Sequence, residues 1–99
     1  MVEVKWTKQA IEDIDNIATF VKKDSLKYAK LQVERIFLRT EILYSHPAIG
    51  KVVPEMNDKT IKELLVGYYR IIYKIISKDR IDILTVHHSS RLLRNSPLF

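Results

Sequence analysis

The pattern of apolar and polar positions changes period once, splitting the chain into a helical first half and a β-rich second half. Residues 2–6, Val-Glu-Val-Lys-Trp, alternate apolar and polar, which predicts a half-buried strand. Thr7 stands where a helix N-cap belongs. Ile11, Ile14, Ile17, Ala18 and Val21 then recur at helical spacing, with Glu12, Asp13 and Asp15 early, where the helix dipole favours them. Lys22-Lys23-Asp24 closes that helix of roughly sixteen residues, and Ser25 caps a second of roughly twenty. Its inner stripe is Leu26, Ala29, Val33, Ile36, Phe37, Thr40, Leu43 and Tyr44, with Lys27, Lys30, Glu34 and Glu41 mostly outside. His46-Pro47 ends it, because a residue before proline avoids the α region. So short a connection makes the two helices an antiparallel hairpin.

Residues 48–59 read as a loop broken by Gly50 and Pro54. Thr60–Val66 predicts a strand, Gly67 a turn, and Tyr69–Ile76, rich in β-branched and aromatic residues, a central strand. Ser77–Arg80 turns the chain and Ile81–His87 runs back, giving an antiparallel meander. The expected fold is α+β with order β-α-α-β-β-β, a helical hairpin packed on a small antiparallel sheet. Parity in the central strand puts Tyr69, Ile71, Tyr73 and Ile75 against the helices. Arg70, Ile72, Lys74 and Ile76 then share the other face, leaving Arg70 and Lys74 on an open surface beside the C-terminal segment.

Length and composition narrow the class. Ninety-nine residues make one domain, 1–99, and 46% hydrophobic with 29% charged residues excludes a disordered chain. The absence of cysteine excludes disulfide scaffolds, thiol nucleophiles and cysteine-ligated zinc. No apolar run approaches the ~18 residues of a membrane span, and the charged start (Glu3, Lys5) does not read as a signal peptide. A cytoplasmic protein with no membrane partner is expected. The net charge of +5 is uneven: residues 1–50 hold eight basic and seven acidic side chains, residues 51–99 nine and five. The last thirteen residues carry His87, His88, Arg91 and Arg94 and no carboxylate, which suits an acidic or polyanionic partner.

Candidate chemistry is sparse. His87 and His88 are adjacent and point to opposite faces of a strand, so a metal site is not expected. Two glycines supply no phosphate-binding loop, and no cofactor is expected. Ser89 and Ser90 lie beside His88 without an orienting carboxylate, and the five tyrosines fall mostly at packing positions. One cluster remains, Glu63, Arg70, His88 and Arg91. Two arginines and a histidine could hold phosphates or run acid–base chemistry. Equally, Glu63 and Arg70 could form a structural ion pair across neighbouring strands while His88 and Arg91 stay solvated.

An ordered set of short motifs resembles the RelE/ParE superfamily of type II toxins. It comprises Trp6-Thr7-x-x-Ala10-x-x-Asp13-Ile14, His46-Pro47-x-x-Gly50, Glu63-Leu64, Tyr69-Arg70-Ile71-Ile72-Tyr73 and Ile83-Leu84-x-Val86-x-His88-x-x-Arg91. The resemblance implies a bacterial toxin neutralised by a cognate antitoxin that wraps it. RelE-like members cut mRNA in the ribosome with basic side chains on the sheet and usually a tyrosine near the C-terminus. ParE-like members instead poison DNA gyrase and are not nucleases. Arg70 and Arg91 match arginines that serve the RNA cutters.

Three departures favour the gyrase branch. Glu63 stands where RelE itself has a lysine, although some ribonuclease relatives use glutamate there. No tyrosine follows Tyr73, and both helices are long. The resemblance therefore implies a ParE-like inhibitor of DNA gyrase, with target contacts from Arg70, Lys74, His88, Arg91 and Arg94. The alternatives are a ribosome-dependent mRNA endonuclease using Glu63, Arg70, His88 and Arg91, or an inactive relative that only binds antitoxin. Phe20, Leu31 and Leu38 fall off the core stripes and are the expected antitoxin contacts.

Overall fold

The computed structural model describes residues 2–89. Its elements are β1 (Glu3–Trp6), α1 (Lys8–Lys22), α2 (Leu26–Thr40), a 3-10 turn (Glu41–Tyr44), β2 (Lys51–Val52), β3 (Ile61–Val66), β4 (Tyr69–Ser77) and β5 (Arg80–His88). The expected meander of β3, β4 and β5 is present. Two further strands extend it to a five-stranded sheet in the order β1-β5-β4-β3-β2. β1 runs parallel to β5, with Val4 opposite Ile81 and Trp6 opposite Ile83, so the sheet is mixed rather than purely antiparallel. The two-residue β2 lies inside the segment read as loop and pairs Lys51 with Glu63.

Both helix starts follow from their caps. The Thr7 hydroxyl oxygen accepts from the Ala10 amide at 3.2 Å and donates to the Ile83 carbonyl at 2.7 Å, so one side chain starts α1 and ties it to β5. The Ser25 Oγ accepts from the Tyr28 amide at 3.1 Å. Each helix is 15 residues long. α2 is shorter than expected because the chain tightens into the 3-10 turn before Pro47.

The main core joins Ala10, Ile14, Ile36 and Leu43 to Leu64, Ile71, Tyr73, Ile81, Ile83 and Val86. In α2 the buried line runs through Ala29, Gln32, Ile36 and Thr40, leaving Leu26 more than half exposed. Phe37 lies against Trp6, ring centroids 4.7 Å apart.

Two features alter the expected sheet faces. The alternation in β4 holds, with Tyr69, Ile71, Tyr73 and Ile75 on the helix side. The other face is not open, however. Val53 and Met56 fold back over it, and with Ile61, Ile72 and Leu84 they make a second small core. In β5, Ile72 lies opposite Thr85 while Tyr73 lies opposite Ile83, so Leu84 is an extra, bulged residue. The bulge moves His88 opposite Tyr69, on the helix side, and His87 opposite Arg70.

Candidate functional site

Arg70 is clamped. Its position in β4 points it at the segment between β2 and β3, where Glu55 meets it. Nη1 and Nη2 donate to the two Glu55 carboxylate oxygens at 2.7 and 2.9 Å. Nε donates to Glu63 Oε2 at 2.7 Å, and Nη2 stands 2.6 Å from the same oxygen. The Arg70 side chain is only 10% exposed. Glu55, then Glu63, hold the guanidinium pKa far above its ordinary value against the opposing effect of burial, so it stays charged throughout.

Lys74 lies on the same face and pairs with Asp58 at 3.7 Å, both partly exposed. Asp58 accepts from the Thr60 amide and hydroxyl at 2.8 and 2.6 Å, which holds its carboxyl below the usual range. At the far end of β5, Arg80 is forked onto Asp82 at 2.9 and 3.0 Å.

The sequence-derived set is only partly assembled. Glu63 and Arg70 meet, but His88 lies on the opposite face of the sheet, because its alternation is shifted by the bulge at Leu84. The His88 ring is stacked on Tyr68 at 6.2 Å and edge-on to Tyr69 at 5.6 Å. It borders a cleft of about 550 Å³ between α1 and the sheet end, with Asn16, Ile17, Phe20, Tyr69 and Val86. Arg91 and Arg94 lie outside the described residues. Glu55 was missed by sequence reasoning. The available signal was a carboxylate set among the apolar residues Val52, Val53 and Met56 of a nominal loop, which marks a segment that folds back onto the sheet.

The three expected antitoxin contacts are exposed but occupy two surfaces. Phe20, 69% exposed, borders the α1 cleft. Leu31 lies on the flank of α2 with Lys27, Lys30 and Glu34, and Leu38 farther along that helix is 63% exposed. Among the described residues, no helix is long and apolar enough to cross a membrane.

The motif residues themselves mostly hold the fold. The buried Tyr73 hydroxyl donates to the Pro47 carbonyl and accepts from the Gly50 amide, each at 2.9 Å, fastening the turn after α2 to the central strand. Burial pushes the Tyr73 phenol up from its ordinary pKa. Asp13 accepts from the Thr85 hydroxyl and, at 3.0 Å, from the Val86 amide, tying α1 to the bulged part of β5.

Comparison with known proteins agrees with this architecture. The family described as the ParE toxin of type II toxin–antitoxin systems, parDE, matches residues 4–93. The candidate toxin Y4kP of Sinorhizobium fredii is 33% identical over 86 residues, covering 87% of this chain and 86% of the relative. Among solved structures, a chain of the chromosomal ParDE system from P. aeruginosa superposes with a TM-score of 0.73 at 21% identity, covering 89% of this chain and 96% of that one. A chain of the toxin–antitoxin complex RelBE2 from Mycobacterium tuberculosis gives 0.56 at 23% identity, with 88% and 96% covered. At these identities the structural likenesses are likenesses of fold.

Proposed function

The chain belongs to the ParE toxin family of type II toxin–antitoxin systems, and from that premise we propose that it inhibits DNA gyrase and is neutralised by a cognate antitoxin. The observation that carries the choice of target is the Glu55–Arg70–Glu63 clamp. An mRNA endonuclease needs cations free to receive a phosphodiester, with an acid and a base placed about the same bond. Here three hydrogen bonds and one further close N···O contact commit Arg70 to the Glu55 and Glu63 carboxylates, so its guanidinium is not free to receive a phosphodiester. His88, the natural acid–base partner, faces the other side of the sheet.

A gyrase inhibitor needs no such set. It needs a surface that fits the enzyme, and our candidate is the sheet end carrying His88 and Tyr68, with Lys74 as an outlying contact and with Arg91 and Arg94, which follow in sequence outside the described residues, as further basic contacts. The antitoxin is expected to cover apolar surface on the hairpin, including Phe20, Leu31 and Leu38. The solved structures of similar fold, one from a chromosomal ParDE system and one from a RelBE2 toxin–antitoxin complex, support a partner of this kind.

Induction of the chain without antitoxin tests the reading in cells. The expected result is growth arrest with stalled replication and an induced DNA-damage reporter, while primer extension finds translating mRNA intact. Codon-positioned cuts that vanish in His88→Ala, with no damage response, would assign the nuclease instead. Growth without arrest at normal expression would leave an antitoxin-binding relative.

A further inference from the structure

We propose that the segment following β5, residues 90–99, docks into the cleft between α1 and the end of β5, with Leu92 and Leu93 as its apolar anchors. The cleft arises at an edge of the sheet. β1 ends at Trp6, opposite Ile83, and does not accompany β5 beyond that point. α1 runs beside β5 there instead, and its Asp13 accepts from the Val86 amide at 3.0 Å. Asp13, Asn16, Ile17 and Phe20 recur at helical spacing on one face of α1. Against Tyr69 and Val86 they wall a space of about 550 Å³. Ile17 is only half-buried there, and Phe20 stands 69% exposed at the rim.

The chain's own exit from the sheet selects this occupant. The Ser89 amide donates to the Tyr68 carbonyl at 2.6 Å, so the backbone leaves β5 at the mouth of the cleft, directly after His88, which lines it. Residues 90–99 lie outside the described residues. They bring Leu92, Leu93, Leu98 and Phe99 together with Arg91 and Arg94, and no acidic side chain. Ten residues reach up to about 33 Å when extended. The 15 residues of α1 span about 22 Å, so the segment is long enough to follow the helix along the cleft. A short tether also raises the local concentration of the segment to the order of mM, which populates a contact too weak for a free peptide.

Charge favours the same assignment. Asp13 accepts from the Gln9 side-chain amide at 2.9 Å, from the Thr85 hydroxyl and from the Val86 amide. All three donors are neutral, so they do not cancel the charge of the carboxylate in the cleft wall. Arg91, three residues beyond His88, is the first cation the segment brings to that wall, and no carboxylate side chain comes with it. Docking holds whichever target the chain has, and it fixes Arg91 and Arg94 beside the sheet end.

Paramagnetic relaxation in the full chain tests the proposal, because a sequence without cysteine accepts one label at one site. With a nitroxide on Ser96→Cys, the amide signals of Asn16, Ile17, Phe20 and Val86 are expected to lose more than half their intensity. Those of Lys78 and Asp79, about 26 Å back along the direction of β5, are expected to keep theirs. Leu92→Ser with Leu93→Ser in the labelled chain should restore the cleft signals while the rest of the spectrum stays that of the folded parent, and Phe20→Ser should restore them in part. Cleft signals untouched by the label, attenuation centred on residues 26–34 of α2, or attenuation indifferent to the paired leucine change would each overturn the proposal. So would equal attenuation when the label is carried only by a second, isotopically silent copy, which would give the cleft to a neighbouring chain.

Discussion

Substitution of Arg70 by alanine leaves the Glu55 and Glu63 carboxylates facing one another without the cation they share. Glu63 is 13% and Glu55 28% exposed at the side chain, so water reaches the pair only in part. Removing one partner of a fully buried ion pair costs about 3–5 kcal/mol. Allowing for the partial exposure of Glu55, about 3 kcal/mol is expected here, a large share of the ~5–15 kcal/mol that holds a domain together. For a chain of this length that lowers Tm by roughly 12–24 °C. The loss should begin in the 53–60 segment, because Glu55 is what fastens it over Ile72. Replacing all three by Glu55→Gln, Glu63→Leu and Arg70→Met removes the charges together, and most of the stability should return. Thermal melts by circular dichroism on the parent, the single and the triple variant read this directly. An Arg70→Ala protein that melts within about 2 °C of the parent yet has lost toxicity would refute the structural role of Arg70 and make it a target-binding residue.

Other substitutions probe the ties that carry the fold. At Gly50 a methyl group would stand 2.6 Å from the Tyr73 hydroxyl and 2.7 Å from the Glu63 carbonyl, so Gly50→Ala should cost about 1–3 kcal/mol in urea unfolding. Gly67, with open space around it but φ of +56°, should lose only about 1–2 kcal/mol as alanine, for conformational reasons. Asp13→Ala strands the Thr85 hydroxyl and the Val86 amide, costing about 1–3 kcal/mol and speeding amide exchange at Val86. Tyr73 has a raised folded pKa, so its contribution is complete below the ordinary value of 10.0 and is lost as pH rises through the folded value. Ultraviolet titration should show two tyrosines ionising late, Tyr69 and Tyr73, because burial raises both, and Tyr73→Phe should remove one of the two.

How far residue pattern alone reaches is clear from particular places. Thr7 and Ser25 mark both helix starts because capping is local chemistry, legible within three residues. Strand parity in β4 is equally local, and it places Ile71 and Tyr73 on the helix side. The parallel pairing of β1 with β5 is not legible, since it joins Val4 to Ile81 across the whole hairpin. Leu84 illustrates a subtler failure. The alternation Ile81-Asp82-Ile83 changes phase at Leu84-Thr85-Val86, and the bulge it marks reverses every side chain beyond it, and so moves His88 away from Arg70. The motif residues Thr7, Asp13, Pro47, Gly50, Glu63, Arg70 and Tyr73 are occupied with one another or with backbone. That explains why they identify the fold and family so well and the target so poorly.

The most direct test of the proposed target is DNA supercoiling by purified gyrase in the presence of the purified chain, with and without Arg70→Met combined with Glu55→Gln and Glu63→Leu. Inhibition of supercoiling with accumulation of cleaved DNA, retained in the triple variant and lost when Arg91 and Arg94 are changed to glutamate, is the predicted result. Undiminished supercoiling at a large molar excess of folded chain would contradict the account.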